Sequence, residues 1–432
     1  MKRVCTLDSP SRRGRSAAII VGMVALALFG ACSDDEGEIR PGITPSSTMA
    51  LDVPPKIAAP PCPALAPALS FVRRTSDTLE LDGRRFRAVG ANLYYLQSLF
   101  AEGERGSTAL AAEASRALDE VVCMQLPVVR AWGFNDSTYN SAIRHQPGVW
   151  REEGLRGLDR LVAEAKSRGL RLILALVNNH APFGGLPAYA AWAGKQPDDF
   201  FGDPQMLGYW KDYVDLLATR VNVFTNVAYR DEPTIMAWEL GNEFRCPSCR
   251  GTTRFVDTIR VLAKHAKAAF PNHLIGDGGE GHDDKPDLYP GLSNQYFVRG
   301  DEGVSYSSLV TVDELDMLSY HMYPRFWMFD LSKDVAVWIN THELLARMAG
   351  KVAYMGEFGH DPGLQIRDEV AAPIFNGWLS HLFDTRGGSL GLLWQWVPAE
   401  RLGNQNDDGF GITLAQHPRS AGVLTWWQQR VR

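Results

Sequence analysis

Trp238-Glu239-Leu240-Gly241-Asn242-Glu243 is an apolar run that closes on a glycine and then a carboxylate. Tyr354-Met355-Gly356-Glu357-Phe358-Gly359 repeats the pattern 114 residues further on. Short apolar runs of this kind read as strands buried on both faces, as in parallel sheets. Glu243 and Glu357 then stand where their strands leave the sheet, whereas Glu239 lies inside its strand and is expected to make a buried structural bond. Outward from these two, apolar runs recur at 88–93, 128–132, 170–177, 273–276, 315–320 and 390–394, which with 234–240 and 352–355 makes eight. Helical patterns separate them. Leu158, Leu161, Val162 and Ala165 share one helix face, with Gly169 as the stop, and Val256, Ile259, Ala263, Ala266 and Phe270 do the same before Pro271. Eight strand–helix alternations predict a (β/α)8 TIM barrel with long loops. A small N-terminal β-hairpin should precede it at 78–86, turning on Asp82-Gly83. An open doubly wound sheet would alternate in the same way, but no G-x-G-x-x-G follows the first run, so nucleotide binding has no support.

The N-terminus is a different kind of segment. Lys2, Arg3, Arg12, Arg13 and Arg15 precede an apolar stretch at 17–29 that is short for a membrane span, and Phe29-Gly30-Ala31-Cys32 follows. Small residues before a cysteine, with polar Ser33-Asp34-Asp35 after it, resemble a bacterial lipoprotein processing site, although Phe29 replaces the usual leucine. Residues 1–31 are therefore expected to be a lipoprotein-type signal peptide, with Cys32 lipidated, or else ordinary cleavage near Ala31 with secretion. The stretch 32–68, rich in Pro and Ala, reads as an extended linker, and 69–432 as the catalytic domain. The export segment holds five basic side chains and one acidic, so its removal takes the formal net charge from −6 to −10. An acidic surface argues against nucleic acid as a partner. The expected membrane contact is the lipid anchor alone, and the expected state is a monomer.

Cys246-Pro247-Ser248-Cys249 lacks the second C-x-x-C or the histidine pair of a zinc site. In an exported chain a local disulfide between Cys246 and Cys249 is the better reading. The pairing of Cys62 and Cys123 is open. Asn404-Gln405-Asn406-Asp407-Asp408-Gly409 has the look of a calcium loop, but its twelfth position is Ala415 rather than Glu. It reads as a polar loop over a groove, and neither a metal nor a cofactor is expected.

Polar and aromatic residues crowd just beyond the runs: Arg130-Ala131-Trp132-Gly133-Phe134-Asn135-Asp136, Val177-Asn178-Asn179-His180, Asn242-Glu243-Phe244-Arg245, Gly279-Glu280-Gly281, His321-Met322-Tyr323-Pro324 with Trp327, Glu357, and Trp394-Gln395-Trp396. The C-terminal mouth of a barrel is where such enzymes keep their chemistry. Two carboxyls facing one another there are the machinery of glycoside hydrolysis. The chain's 12 Trp, 13 Tyr and 19 Phe suit a groove that stacks sugar rings as well as a core.

Taken in order, these segments resemble glycoside hydrolase family 5, and within it the endo-β-1,4-mannanases, from about Ser70 to Trp396. The resemblance implies a retaining (β/α)8 hydrolase acting on a β-mannan-type polysaccharide. Glu243 would be the acid/base and Glu357 the nucleophile. Asn242 would bond the sugar 2-hydroxyl, Arg130 and Tyr323 would flank the nucleophile, and His321 would flank the acid/base. Trp394 would floor the −1 sugar site. Trp132, Asn179, Arg245, Glu280 and Trp327 would line neighbouring positions. The retaining mechanism carries an expected carboxyl spacing of about 5–5.5 Å, and Arg130 would hold Glu357 ionised. Two positions depart from mannanase wording. His180 stands where Trp is usual, and Phe244 stands where Pro often follows Asn-Glu, both expected near the sugar sites. The alternatives are an endoglucanase of the same family, and a surface lipoprotein that binds glycan without cutting it.

Overall fold

The computed structural model describes residues 62, 65–324, 326–327, 330–359, 367–398 and 408–432. The expected signal peptide, Cys32, most of the linker and residues 404–407 of the polar loop lie outside them.

Three short strands come first: β1 (Arg73–Thr75), β2 (Thr78–Leu81) and β3 (Arg84–Arg85), an antiparallel sheet in the order β1-β2-β3. Asp82 and Gly83 turn β2 into β3 with φ of 51° and 75°, the positive pair that a tight hairpin turn demands. β1 was not expected. It has no apolar run, and its partner is only evident once Thr75 faces Thr78.

Eight parallel strands then close into a barrel: β4 (Ala88–Asn92), β5 (Val128–Trp132), β8 (Arg171–Ala175), β9 (Ile235–Glu239), β10 (Leu274–Gly276), β11 (Met317–Met322), β12 (Val352–Phe358) and β13 (Leu390–Leu393). All eight expected runs are strands. A two-stranded ribbon, β6 (Arg144–Gln146) with β7 (Val149–Trp150), sits in the loop after β5. Every residue of the barrel strands is buried, which is why they read as continuous apolar runs rather than alternating ones. The helices lie outside. Glu152–Ser167 buries Leu158, Leu161, Val162 and Ala165, and Arg254–Ala269 buries Ile259, Ala263 and Ala266.

Val72 and Leu79 from the hairpin form one apolar cluster with Ala88, Val128, Leu274, Met317, Val352 and Leu390. Those last six residues begin, or nearly begin, their strands, so the hairpin plugs the N-terminal mouth of the barrel. This leaves the C-terminal mouth for chemistry. The end of the proline-rich stretch also belongs here. Ala68 is buried, and Cys62 is bonded to Cys123 at the end of the helix Thr108–Cys123. Closing 61 residues, that bond constrains the unfolded chain by about 4 kcal/mol. Cys246 and Cys249 are bonded to each other. Among the described residues, no helix is long and apolar enough to cross a membrane.

β12 runs three residues further than its apolar run. Its pairing with β11 slips between Tyr320 and His321, so Gly356 sits at an irregularity. A Cβ there would lie 2.4 Å from the Ser319 hydroxyl, so a glycine lets β12 continue and delivers Glu357 opposite His321.

Candidate active site

The carboxylates arrive by different routes. Glu357 is carried by β12 itself. Glu243 comes four residues after β9, past Gly241, in a segment whose Asn242 bridges to Asn178 in the loop after β8. Glu243 takes φ of 56° and donates its backbone N–H to Gly278 O at 2.9 Å. A non-glycine residue in this region is uncommon and tends to mark a functional position.

Beneath them lies a buried cation. Arg130, at the centre of β5, places Nη1 2.7 Å from Glu357 Oε1 and Nη2 2.8 Å from Glu239 Oε2. Its Nε donates to both Glu239 oxygens at 2.9 Å, and its remaining N–H groups reach Asn92 Oδ1 and Asn242 Oδ1. Glu239 also accepts from the Tyr354 hydroxyl, the buried structural role expected of it. Tyr323 donates to Glu357 Oε2 at 2.5 Å. His321 Nδ1 stands 2.8 Å from Glu243 Oε1 and 3.4 Å from Glu357 Oε2. Ligating atoms of Glu243, His321 and Glu357 all fall within 4.8 Å of one another. Such a trio can bind a cation in principle, but Arg130 already supplies one against Glu357. One oxygen of Glu243 and one of Glu357 thus lie within 4.8 Å of each other, closer than the 6.5–9.5 Å between the carboxyls of inverting enzymes.

Two buried carboxyls this close titrate as a unit. Burial pushes Glu357 up to about 7, and the charge of Glu243 adds to this, while His321, Arg130 and Tyr323 pull the other way. Burial also pushes Glu243 up, but hydrogen bonds with His180 and His321 outweigh it and hold that carboxyl well below its ordinary range. Burial opposes the His321 cation, yet the charges of Glu357 and Glu243 raise it on balance. The expected hold of Arg130 on Glu357 is present as a contact and lowers that carboxyl, but it is not the dominant influence. Arg130 makes the contact, but Glu239 claims most of its fork, and burial is the larger effect. Removing the Tyr323 hydroxyl removes one of the groups that lower Glu357. Tyr323→Phe is therefore expected to move the acidic limb of the kcat profile, which reads the sugar complex, to higher pH and to cut kcat at the optimum about tenfold; an unmoved limb would contradict that role.

The other expected residues fall into three groups. Trp394 is half-exposed, stacks on Tyr94 at 5.3 Å and 11°, and donates its indole N–H to Asp408. Arg245 and Glu280 form a two-pronged pair at 2.6 Å, and Asn179 Oδ1 accepts from the Arg245 backbone N–H. Both Asn179 and Arg245 are half-buried at the mouth, and Glu280 is buried beneath Arg245. Trp132 and Trp327 are each only 5% exposed. Trp132 packs among Tyr94, Phe134 and Phe183. Trp327 packs among Tyr323, His282, Phe297 and Trp338. Both rings are thus packed among other aromatics and leave little of their faces to line a groove, the place expected of them.

Phe244 is also corrected. It is buried against Phe200 and Phe201, and a Cβ at Gly241 would strike its ring at 2.2 Å. The ring folds back into the core and not toward a sugar. His180 does reach the site, with Nε2 3.1 Å from Glu243 Oε2. Its contact with Glu243, the Asn92 bond to Arg130 and the Tyr94 stack on Trp394 were not foreseen. Asn92 alone carried a signal, as a polar side chain inside an apolar run.

Comparison with known proteins agrees with this geometry. The family model described as GH family 5 beta-mannosidase-like matches residues 69–359. Mannan endo-1,4-beta-mannosidase 1 of Oryza sativa subsp. japonica is 31% identical over 394 residues, covering 85% of this chain and 88% of that protein. Mannan endo-1,4-beta-mannosidase 5 of Solanum lycopersicum is 33% identical over 376 residues, covering 82% and 87%. Among solved structures, the hyperthermostable endo-1,4-beta-D-mannanase of Thermotoga petrophila RKU-1 superposes with a TM-score of 0.71 at 29% identity, over 80% of this chain and all of that one. The endo-1,4-beta-mannanase of Rhizomucor miehei gives 0.70 at 25% identity, over 84% and 99%. A closed barrel, a carboxyl pair across its mouth and a family match over most of the chain make this protein a member of glycoside hydrolase family 5, of the beta-mannosidase-like type.

Proposed function

We propose that the chain is a retaining endo-β-1,4-mannanase that cuts internal β-1,4-mannosidic bonds of mannan or glucomannan by double displacement, with Glu357 as nucleophile and Glu243 as acid/base. The observation that carries the reading is the closely spaced pair itself, one member held by Arg130 and Tyr323 and the other by His321. The sugar decides which of the two keeps the shared proton. A pyranose seated over Trp394 sets its anomeric carbon, which gains positive charge, against Glu357 and so favours that group as an anion. It sets the departing oxygen, an acceptor, against Glu243 and so favours that group as a donor. Glu357 then attacks the anomeric carbon as Glu243 protonates the leaving oxygen. In the second step Glu243, now ionised, takes a proton from water, the water oxygen attacks the same carbon, and the Glu357 ester breaks. Asn242 is placed to hold the 2-hydroxyl, and Arg245, held by Glu280 and the Cys246–Cys249 loop, to meet a neighbouring sugar.

The substrate assignment is supported by the mannanases to which the chain is similar. Soluble β-mannan or glucomannan should lose viscosity quickly, with mannose at the new reducing ends. Carboxymethylcellulose should be cut at least about tenfold more slowly, about 1.4 kcal/mol at the transition state. A higher kcat/KM on cellulose or mixed-linkage glucan would replace this reading with that of an endoglucanase.

Export and anchoring through Cys32 belong to the same proposal. They are supported by the basic, apolar and small-residue order of residues 1–32 and by two disulfides, the chemistry of an oxidising compartment. Wild-type protein should partition with membranes, and Cys32→Ala should release it or block its processing. A soluble mature wild-type protein starting at another residue would overturn the anchor.

A further inference from the structure

The two oxygens of Glu243 are held by two imidazoles from opposite sides of the site. His321, on β11, takes Oε1 at 2.8 Å. His180, in the loop after β8, takes Oε2 at 3.1 Å. We propose that His180 is a positioning residue for the acid/base: it holds the ionised form of Glu243 with Oε2 aimed at the cleavage point, and links that oxygen to bulk water. The inference rests on Glu243 being the acid/base.

Three observations support it. First, the loop is built to place this side chain. Asn178 Oδ1 accepts from the His180 backbone N–H at 3.2 Å and from Asn242 Nδ2 at 3.1 Å, so one amide fixes both His180 and the residue before Glu243. Gly185 has φ of 58°, and a Cβ there would lie 2.2 Å from the His180 carbonyl and 2.4 Å from that of Asn178. Only glycine fits, and the loop is pinned from below. Second, exposure differs across the contact. The His180 side chain is 39% exposed and that of Glu243 16%, so the imidazole has one side in water and the other on the carboxylate. Third, the electrostatics favour a charged pair. Burial opposes the His180 cation, but the Glu243 hydrogen bond and charge raise it on balance. On the Glu243 side, His180 leads the groups that offset burial.

Other charges act on the same pair. Glu243 also faces His321 from β11, and its charge acts on Glu357 from β12. From the loop after β10, Glu280 faces both members, while Arg245 opposes the His180 cation. Glu302 faces His180, and His282, Tyr323 and Tyr296 feel the Glu243 charge from further off. All of these stay in place when only His180 is changed.

During turnover the proton account closes. Glu243 gives its proton to the leaving oxygen and becomes an anion, which the N–H at His180 Nε2 stabilises. Water then gives a proton to Glu243 as its oxygen attacks, which restores the starting state.

The test is the pH profile of kcat at saturating mannan oligosaccharide, which reports the groups of the sugar complex, for wild type, His180→Ala and His180→Gln. A donor facing the carboxylate stabilises its ionised form, so losing it should move the alkaline limb, where Glu243 gives up its proton, to higher pH. The ratio of His180→Ala to wild-type kcat should rise at least about threefold between pH 5 and pH 8. His180→Gln, which keeps an N–H donor without a charge, should recover part of the loss at the optimum. An unmoved alkaline limb, or a change confined to KM, would overturn the proposal and make His180 a rim or sugar-contact residue. The underlying reading is checked separately by Glu243→Ala on an activated aryl mannoside. Rescue of that variant by azide with an unmoved limb in His180→Ala would remove this inference alone.

Discussion

Glu357→Ala should lose turnover on every substrate, by about 10⁵-fold or more, equivalent to about 7 kcal/mol of transition-state stabilisation. With the nucleophile gone no glycosyl-enzyme can form, and a better leaving group offers no remedy. Glu243→Ala should behave differently. It removes acid and base catalysis, worth about 10²–10⁴-fold, but a substrate whose leaving group departs unaided should retain most of its first step. Azide, small and anionic, should then enter the space left by Glu243, attack the glycosyl-enzyme without needing a base and yield a β-glycosyl azide. Equal, unrescued losses in both variants would contradict the roles assigned to the pair.

Arg130→Met is expected to give the largest loss of stability from a single change at the site. Arg130 and its two carboxylate partners are almost fully buried, with side-chain exposures of 1%, 0% and 3%. Removing the cation leaves Glu239 and Glu357 as close, uncompensated acids in a dry interior, a change that typically costs about 3–5 kcal/mol. Sign follows from the same contacts: both partners are destabilised as anions, so the variant should be most impaired at high pH and recover part of its stability as the medium is acidified. Glu239→Gln with Arg130 intact should cost less, because Arg130 keeps Glu357 as a partner. Denaturant unfolding at two pH values reads this directly, and an Arg130→Met protein as stable as wild type would show that the buried charges are not coupled as described.

The barrel was legible in the sequence because strands buried on both faces leave unbroken apolar runs, and all eight were found this way. What local pattern could not show was anything defined by a partner. β1 has no apolar run and exists because Thr75 faces Thr78 across a turn. β12 extends to Phe358 only because β11 shifts register beside it. Cys62 meets Cys123 across 61 residues, a pairing no spacing rule dictates. At the site, carboxylates at strand ends pointed to Glu243 and Glu357, and the family resemblance added Arg130, Tyr323 and His321, which the fold brings into one cluster. The direction of a side chain was harder to read. Phe244 and His180 both broke the expected wording. The first turns into the core because Gly241 leaves room for its ring. The second turns onto Glu243 because Asn178 and Gly185 pin its loop. Trp327 likewise has the composition of a sugar platform, but the burial of a packing residue.

The central claim is that Glu243 and Glu357 act by double displacement, and the anomeric configuration of the product at the moment of release tests it most directly. ¹H NMR of a mannan oligosaccharide, recorded within the first minutes of hydrolysis and before mutarotation, should show the β-anomer appearing first at the new reducing end. An α-anomer formed first would mean a single inversion, and would contradict the account.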